Sequence, residues 1–275
     1  MRTERNNFYQ IIELKNRSAA IWIERFYGYR PNWEDLTAPN LKAYKGYLLK
    51  NISQNSAKTY LAELKAIINL YKSTELIPCQ DRELKLLNVK LAKTTNCYLT
   101  LEELRRLESL PLTNQRHKDI RDMFLLQSWT GCRESDATNL TLENINDGFL
   151  SYMSQKTQIY SSIPVKPLVL EIISRMPEIK QYSRATYNRV ISKLCEMAKI
   201  DEPLTLFKSG EKISGRKFEF ITSHTARRSF ATNLYNAGIE ITKIAYMMGH
   251  SSTSMTERYI CSNMEMNENI LSFFK

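Results

Sequence analysis

Two of the three histidines in this chain stand in its last fifth, in His224-Thr225-Ala226-Arg227 and Gly249-His250, and Tyr259 follows nine positions after His250. Cleaving a phosphodiester without a metal requires donors for the charge that grows on the non-bridging oxygens, groups that move protons, and a nucleophile. One arginine, two imidazoles and a tyrosine in so short a span outline a strand-transfer site for DNA. Tyrosine is a poor nucleophile at neutral pH, with an unperturbed pKa of about 10, and needs a neighbouring base or a cationic pocket. His224 is the candidate base and the arginine supplies positive field.

Nothing else in the sequence offers a cofactor. The five cysteines (Cys79, Cys97, Cys132, Cys195, Cys261) include no C-x-x-C pair, the histidines are dispersed, and neither H-E-x-x-H nor D-x-D occurs, so neither a zinc site nor a disulfide framework is expected and the thiols read as reduced. The G-x-x-x-x-G-K-[ST] phosphate loop is also missing, and neither ATP nor metal is expected to serve the chemistry. No run approaches the roughly 18 apolar residues of a membrane span, and the start, Met1 to Asn7, lacks the apolar core of a signal peptide. The expected location is cytoplasmic, on DNA, with no membrane partner. The net charge of +10 favours a polyanion: residues 1–93 hold 16 lysines and arginines against nine acidic residues, the rest 23 against 20.

These groups must be carried by a scaffold, and 275 residues with 43% hydrophobic content suffice for two domains. Residues 1–93 read as amphipathic helices separated by turn signals such as Gly28-Tyr29-Arg30-Pro31-Asn32. The clearest helix spans about Ser56 to Lys72, where Ala57, Tyr60, Leu61, Leu64, Ile67, Ile68 and Tyr71 form one apolar stripe. Lys58, Lys65 and Lys72, seven apart, flank it, either as a row tracking phosphates or as a solvated edge. The periodicity lapses at 94–99, where we place a linker, and Thr100-Leu101-Glu102-Glu103 then has the form of a capping box. Helices are predicted near 101–110, 117–130, 166–176 and 184–198. Asp147-Gly148 starts a predicted strand pair, Phe149 to Gln155 and Ser162 to Val165. Phe218 to Ile221 reads as a last strand.

The order of residues resembles the tyrosine recombinases of the phage-integrase superfamily along essentially the whole chain. Gly131-Cys132-Arg133-Glu134-Ser135-Asp136 matches the context of that family's first arginine, with Asp136 where glutamate is usual. Ser154-Gln155-Lys156-Thr157 suits the family lysine, with Lys166 a competing candidate. His224 and Arg227 match H-x-x-R, His250 the later histidine, and Tyr259 the nucleophile. The resemblance implies a mainly α fold with a small β-sheet in the catalytic domain. A helical, SAM-like core-binding domain would occupy 1–93 and a catalytic domain 100–275, ending in a docking segment at 262–275. Arg133 and Arg227 would hold the phosphate with planar forks of donors, Lys156 would protonate the leaving 5′-hydroxyl, and His250 would bind the phosphate or orient the tyrosine. Asp136 would orient a catalytic side chain. Arg228, a quarter turn from Arg227, is assigned to structure or to a backbone phosphate.

The resemblance further implies a 3′-phosphotyrosyl intermediate and double-stranded DNA as partner. The protein would be a monomer or dimer when free and a homotetramer on paired sites, and an accessory DNA-bending protein is admitted as a further partner. The apolar residues of 265–275 must dock, on this chain or on a neighbouring protomer. Few residues precede the first helix, so an arm-binding N-terminal domain is not expected, which leaves a mobile-element integrase, an invertase or a dimer resolvase. The stretch Ser223 to Asn233 resembles integrases of mobile elements from Bacteroides-like bacteria. Two rivals are a non-catalytic helix-turn-helix protein, suggested by Ala231 to Tyr246 with Gly238 between two apolar helices, and a type IB topoisomerase. The first leaves Arg133, Lys156, His224, Arg227, His250 and Tyr259 without a purpose.

Overall fold

The computed structural model describes residues 7–75 and 77–261, which fall into two compact units: Met1–Thr94 with Phe207–Glu211, and Thr95–Leu206 with Lys212–Lys275. The docking segment expected at 262–275 lies outside the described residues. Among those described, all five cysteines are unpaired and no helix is long and apolar enough to cross a membrane.

The first unit contains four α-helices among its described residues: α1 (Phe8–Lys15), α2 (Arg17–Tyr27), α3 (Ala38–Asn51) and α4 (Gln54–Tyr71). Each start carries its own cap: the side chains of Asn7, Asn16, Thr37 and Ser53 accept from the first free backbone N–H groups. The predicted stripe of α4 is buried at Ala57, Leu61, Leu64, Ile67 and Ile68, against Leu41, Tyr44 and Leu48 of α3 and Phe8 and Ile12 of α1.

The second unit is organised around α6 (Gln115–Thr130), which is buried over most of its circumference and packs against α5 (Leu101–Glu108), α7 (Glu134–Ala137), α8 (Pro167–Ser174), α9 (Arg184–Met197) and α10 (Ser223–Asn236). The predicted capping box starts α5, with Thr100 N–H donating to Glu103 at 2.7 Å. Glu103 is itself 2% exposed and is neutralised by Lys217, whose Nζ lies 2.6 Å from one carboxylate oxygen. A helix so enclosed can keep acidic residues only if they are paired. Asp122 meets Arg121 and Arg175 at 3.1 and 3.0 Å, and Asp119 accepts from Tyr182 and Gln115 at 2.8 Å each.

A three-stranded antiparallel sheet, β1 (Ile145–Asn146), β2 (Phe149–Met153) and β3 (Tyr160–Pro164), follows α7. Asp147 and Gly148, both at positive φ, make its first tight turn. Leu150 and Ile163, partners in register, face the core.

Two features depart from the sequence reading. Phe218 to Ile221 is not a strand: Lys217–Phe220 forms a 3₁₀ turn, because Glu219 reaches back to the Arg216 N–H and caps it. Alternating Phe218 and Phe220 fits either conformation, and the capping carboxylate decides. Before it, Pro203–Lys208 (β4) and Glu211–Arg216 (β5) form a two-stranded sheet that the sequence reading missed. Its Ser209-Gly210 turn, at φ 53° and 93°, was the available signal. The described residues close with α10, α11 (Ile241–Met247) and α12 (Thr253–Glu257).

Candidate active site

Helix α6 ends at Gly131, in the left-handed conformation that favours glycine, and a side chain there would collide with the Phe230 ring of α10. The turn presents Arg133 as the residue that opens α7. Its Nη1 donates to Ser154 Oγ at 2.6 Å and lies 3.8 Å from Asp136 Oδ2. Asp136, 3% exposed, accepts from Ser154 Oγ at 2.9 Å and from the Gln155 N–H at 3.0 Å. One carboxylate thus ties the arginine to the loop between β2 and β3.

That loop carries Lys156 at its exposed tip. It is closed by bonds from Ser154 N–H to Ile159 O and from Gln158 N–H to Ser154 O, and Thr157 Oγ1 donates to Gly249 O at 3.0 Å. The competing lysine, Lys166, is committed elsewhere, with Nζ 3.6 Å above the Trp129 ring centre.

His224 and Arg227, three residues apart on α10, share one face. Arg227 is 3% exposed. Its Nη1 donates to Gly131 O, and its Nη2 donates to Met248 O at 3.3 Å and to His250 Nε2 at 2.9 Å, while Nε has no partner. Burial, then the Arg133 charge, lowers its pKa, with Tyr259 acting in the opposite sense; arginine stays charged over the working range all the same. An orphan donor on a buried cation is a place for an anionic oxygen.

His250 stands behind Arg227 rather than in the cavity. A guanidinium only donates, so His250 Nε2 is the acceptor, and Nδ1–H donates to Thr256 Oγ1 at 2.9 Å. Burial, then Arg227 and Arg133, depresses its pKa to about 4, so the ring is neutral at pH 7. Both nitrogens being engaged within the protein, the geometry favours the orienting alternative over direct phosphate binding. The ring packs against Tyr259 with centres 5.3 Å apart and planes tilted by 32°, and Arg227 and Arg228 bring guanidinium carbons within 5.3 and 5.4 Å of the tyrosine ring centre.

Arg133, Lys156, His224, Arg227 and Tyr259 line one pocket of about 520 Å³. Burial, then Arg184, Arg228 and Arg227, lowers the His224 pKa, which keeps this imidazole neutral and able to accept a proton at pH 7. The pocket also includes Arg184, Gln127 and Glu134, none of them singled out from sequence. Arg184 had one signal: a cation in the first turn of α9 opposes the helix dipole. Ser154 had none. Among the described residues no group of three His, Cys, Asp or Glu side chains could hold a metal.

Lys58 and Lys65 lie on α4 in the first unit, and Lys72 is the residue that caps its C-terminal end. Lys65 Nζ donates to Asn88 at 3.2 Å and Lys72 pairs with Asp81 at 2.8 Å, so two of the three already have partners.

The sequence pattern of the phage integrase family matches residues 97–266. Tyrosine recombinase XerA of Pyrococcus furiosus is 33% identical over 184 residues, covering 64% of this chain and 60% of the relative, so the match spans less than two thirds of that protein. Among solved structures, a lambda integrase dimer bound to a COC′ core site matches with a TM-score of 0.64 at 19% identity, covering 94% of this chain and 73% of that one. Lambda integrase as a tetramer bound to a Holliday junction matches at 0.62, with 20% identity and coverage of 93% and 73%. The Tn1549 transposon integrase in complex with a circular intermediate DNA matches at 0.64, with 16% identity and coverage of 98% and 96%. These structural likenesses establish a shared two-domain fold.

Proposed function

Because the chain belongs to the phage integrase family, we propose that it is a site-specific recombinase that cuts and rejoins double-stranded DNA through a 3′-phosphotyrosyl intermediate. The observation that carries this reading is that Arg133, Lys156, His224, Arg227 and Tyr259 line one pocket, and that buried Arg227 keeps an unpartnered Nε.

Tyr259 Oη attacks the phosphorus and gives its proton to neutral His224. The P–O5′ bond breaks, and the leaving oxygen takes a proton from Lys156 Nζ. Arg133 and Arg227 hold the non-bridging oxygens as charge builds on them. His250 keeps Arg227 oriented and gives the tyrosine ring a surface to pack against. The released 5′-hydroxyl of a partner duplex reverses these steps at the phosphotyrosyl linkage, so the bond energy is kept and no nucleotide is consumed.

The first unit, through Lys58, Lys65, Lys72 and its neighbouring cations, grips the DNA backbone. Four protomers assemble on paired sites, an arrangement supported by the lambda integrase tetramer. An accessory DNA-bending protein assists, and a mobile element of Bacteroides-like bacteria is the proposed setting, to which the transposon integrase likeness lends support.

The test is a duplex nicked beside the cleavage position, so that the freed strand diffuses away, incubated in EDTA with wild type and Tyr259→Phe. Candidate DNA comes from the sequences flanking the gene. A covalent adduct with wild type alone is expected. Binding by both proteins without an adduct would leave DNA recognition only, and an adduct with both would move the nucleophile to another residue.

A further inference from the structure

The segment that carries Tyr259 turns on local backbone bonds, from Tyr259 N–H to Thr256 O at 2.8 Å and from Ile260 N–H to Glu257 O at 3.2 Å. Helix α12 has five residues and ends at Glu257, and so short a helix is marginal alone. Its last carbonyls have no partners within the helix. The side-chain bonds that tie residues 258–261 to the rest of the fold come from α10. Arg228 Nη1 donates to Arg258 O at 2.6 Å. Thr232 Oγ1 donates to Tyr259 O at 3.4 Å and accepts from the Cys261 N–H at 3.0 Å. Arg228 and Thr232 are four residues apart and so lie one turn apart on one face of α10, flanking the face that sends Arg227 into the pocket wall.

Charge makes the placement of Arg228 more telling. Among the described residues it has no carboxylate within ion-pair distance, although Arg227 adjoins it and it acts electrostatically on His224. A solvent-seeking cation would turn away from such neighbours. This one instead faces a backbone carbonyl and the tyrosine ring, 5.4 Å from its centre, a contact favoured by the ring quadrupole. Thr232 is fully buried, and its hydroxyl bonds to 259 and 261, both outside its own helix.

We infer that Arg228 and Thr232 form a clasp that seats Tyr259 beside Arg227 in the pocket of its own chain, which makes both of them positioning residues for the nucleophile. This rests on the reading of Tyr259 given above. Arg228 thereby passes from a candidate phosphate contact to a residue that acts through Tyr259, and Thr232, absent from the sequence reading, joins it.

Two measurements on the full chain test the clasp. The first needs no DNA: amide hydrogen exchange at Cys261, compared among wild type, Arg228→Ala, Thr232→Val and Thr232→Ser. Exchange is expected to quicken about tenfold in the first two variants and to stay close to wild type in Thr232→Ser, which keeps the hydroxyl. The second is single-turnover adduct formation on saturating nicked DNA, with affinity measured separately. Arg228→Ala and Thr232→Val should slow the adduct by about ten- to a hundredfold, as misplacing a nucleophile does, with affinity unchanged. Arg228→Lys, which keeps a cation and a donor, should recover most of the rate. Unchanged Cys261 exchange in both variants overturns the clasp. A loss of affinity in Arg228→Ala with an unchanged saturated rate overturns it in favour of a phosphate contact. If wild type forms no adduct, the recombinase reading fails, and the exchange measurement still decides the clasp.

Discussion

The pocket has two sides built on different terms. In its back wall, Arg227 is almost fully buried, with bonds to Gly131, Met248 and His250; at its rim, Lys156, His224 and Arg184 are exposed. The back wall is organised before any substrate arrives, which is the condition under which fixed donors contribute most to catalysis. The rim holds the groups proposed to exchange protons. The contrast predicts that substitutions in the wall damage stability and rate together, whereas those at the rim damage rate alone.

The sharpest form of that contrast pairs two variants. Arg227→Ala removes the donor proposed to hold the phosphate and leaves Gly131 O, Met248 O and His250 Nε2 without their partner. Adduct formation should fall by about 10³-fold, and the melting temperature by several degrees, because buried acceptors lose their bonds. Lys156→Ala should slow the adduct by about 10²-fold with the melting temperature unchanged. A substrate whose bridging 5′-oxygen is replaced by sulfur leaves without a proton, and should restore Lys156→Ala towards wild type but not Arg227→Ala. Rescue of both, or an equal loss of stability in both, would erase the distinction between wall and rim.

A smaller effect separates the two histidines. The His250 pKa is depressed to about 4 from 6.5 by burial and two arginines. Between those values the unfolded chain binds more protons than the folded one, so stability is fully present above pH 6.5 and is lost as pH falls towards 4. His224 shifts in the same direction, but at the exposed rim its contribution is smaller. Melting curves from pH 7 to 4 should fall steeply for wild type and more gently for His250→Gln, with His224→Gln closer to wild type. Parallel curves for wild type and His250→Gln would mean that the wall does not depend on a neutral imidazole.

The same division explains what was legible in the sequence. Histidine is rare here, and a histidine, an arginine and a tyrosine in fixed order stand out by type, so His224, Arg227 and Tyr259 could be picked out from type and spacing, whereas Arg133 and Lys156 rested on the family resemblance. Burial could not: that His250 lies behind Arg227, with both nitrogens engaged, depends on Thr256 and on the end of α11. Ser154, Arg184 and Thr232 were missed because serine, arginine and threonine are common and their importance comes from what faces them across the fold. For the fold, the stripe of α4 and the box at Thr100 were read from local periodicity and capping, and both helices are there. The β4–β5 pair was missed because β5 is mostly exposed and polar and the alternation in β4 is confined to Leu204-Thr205-Leu206, too short a run to mark a strand by burial. Phe218 to Ile221 showed that alternation without being a strand.

The least pronounced effects concern the lysines of α4, where the comparison runs between a free cation and a paired one. Among the described residues Lys58 has no ion-pair partner, whereas Lys72 must first leave Asp81, 2.8 Å away. That pair is solvent-exposed and worth about 0–1 kcal/mol, so DNA can displace it, yet the freed carboxylate would remain near the phosphate. Lys58→Gln should therefore flatten the dependence of log affinity on log salt by about one unit, Lys72→Gln by less, and Asp81→Asn should strengthen binding through Lys72. Measured salt slopes decide this without any cleavage. Identical slopes in wild type and all three variants would make the row a solvated helix edge, and the backbone grip would then have to be sought among the other cations of the first unit.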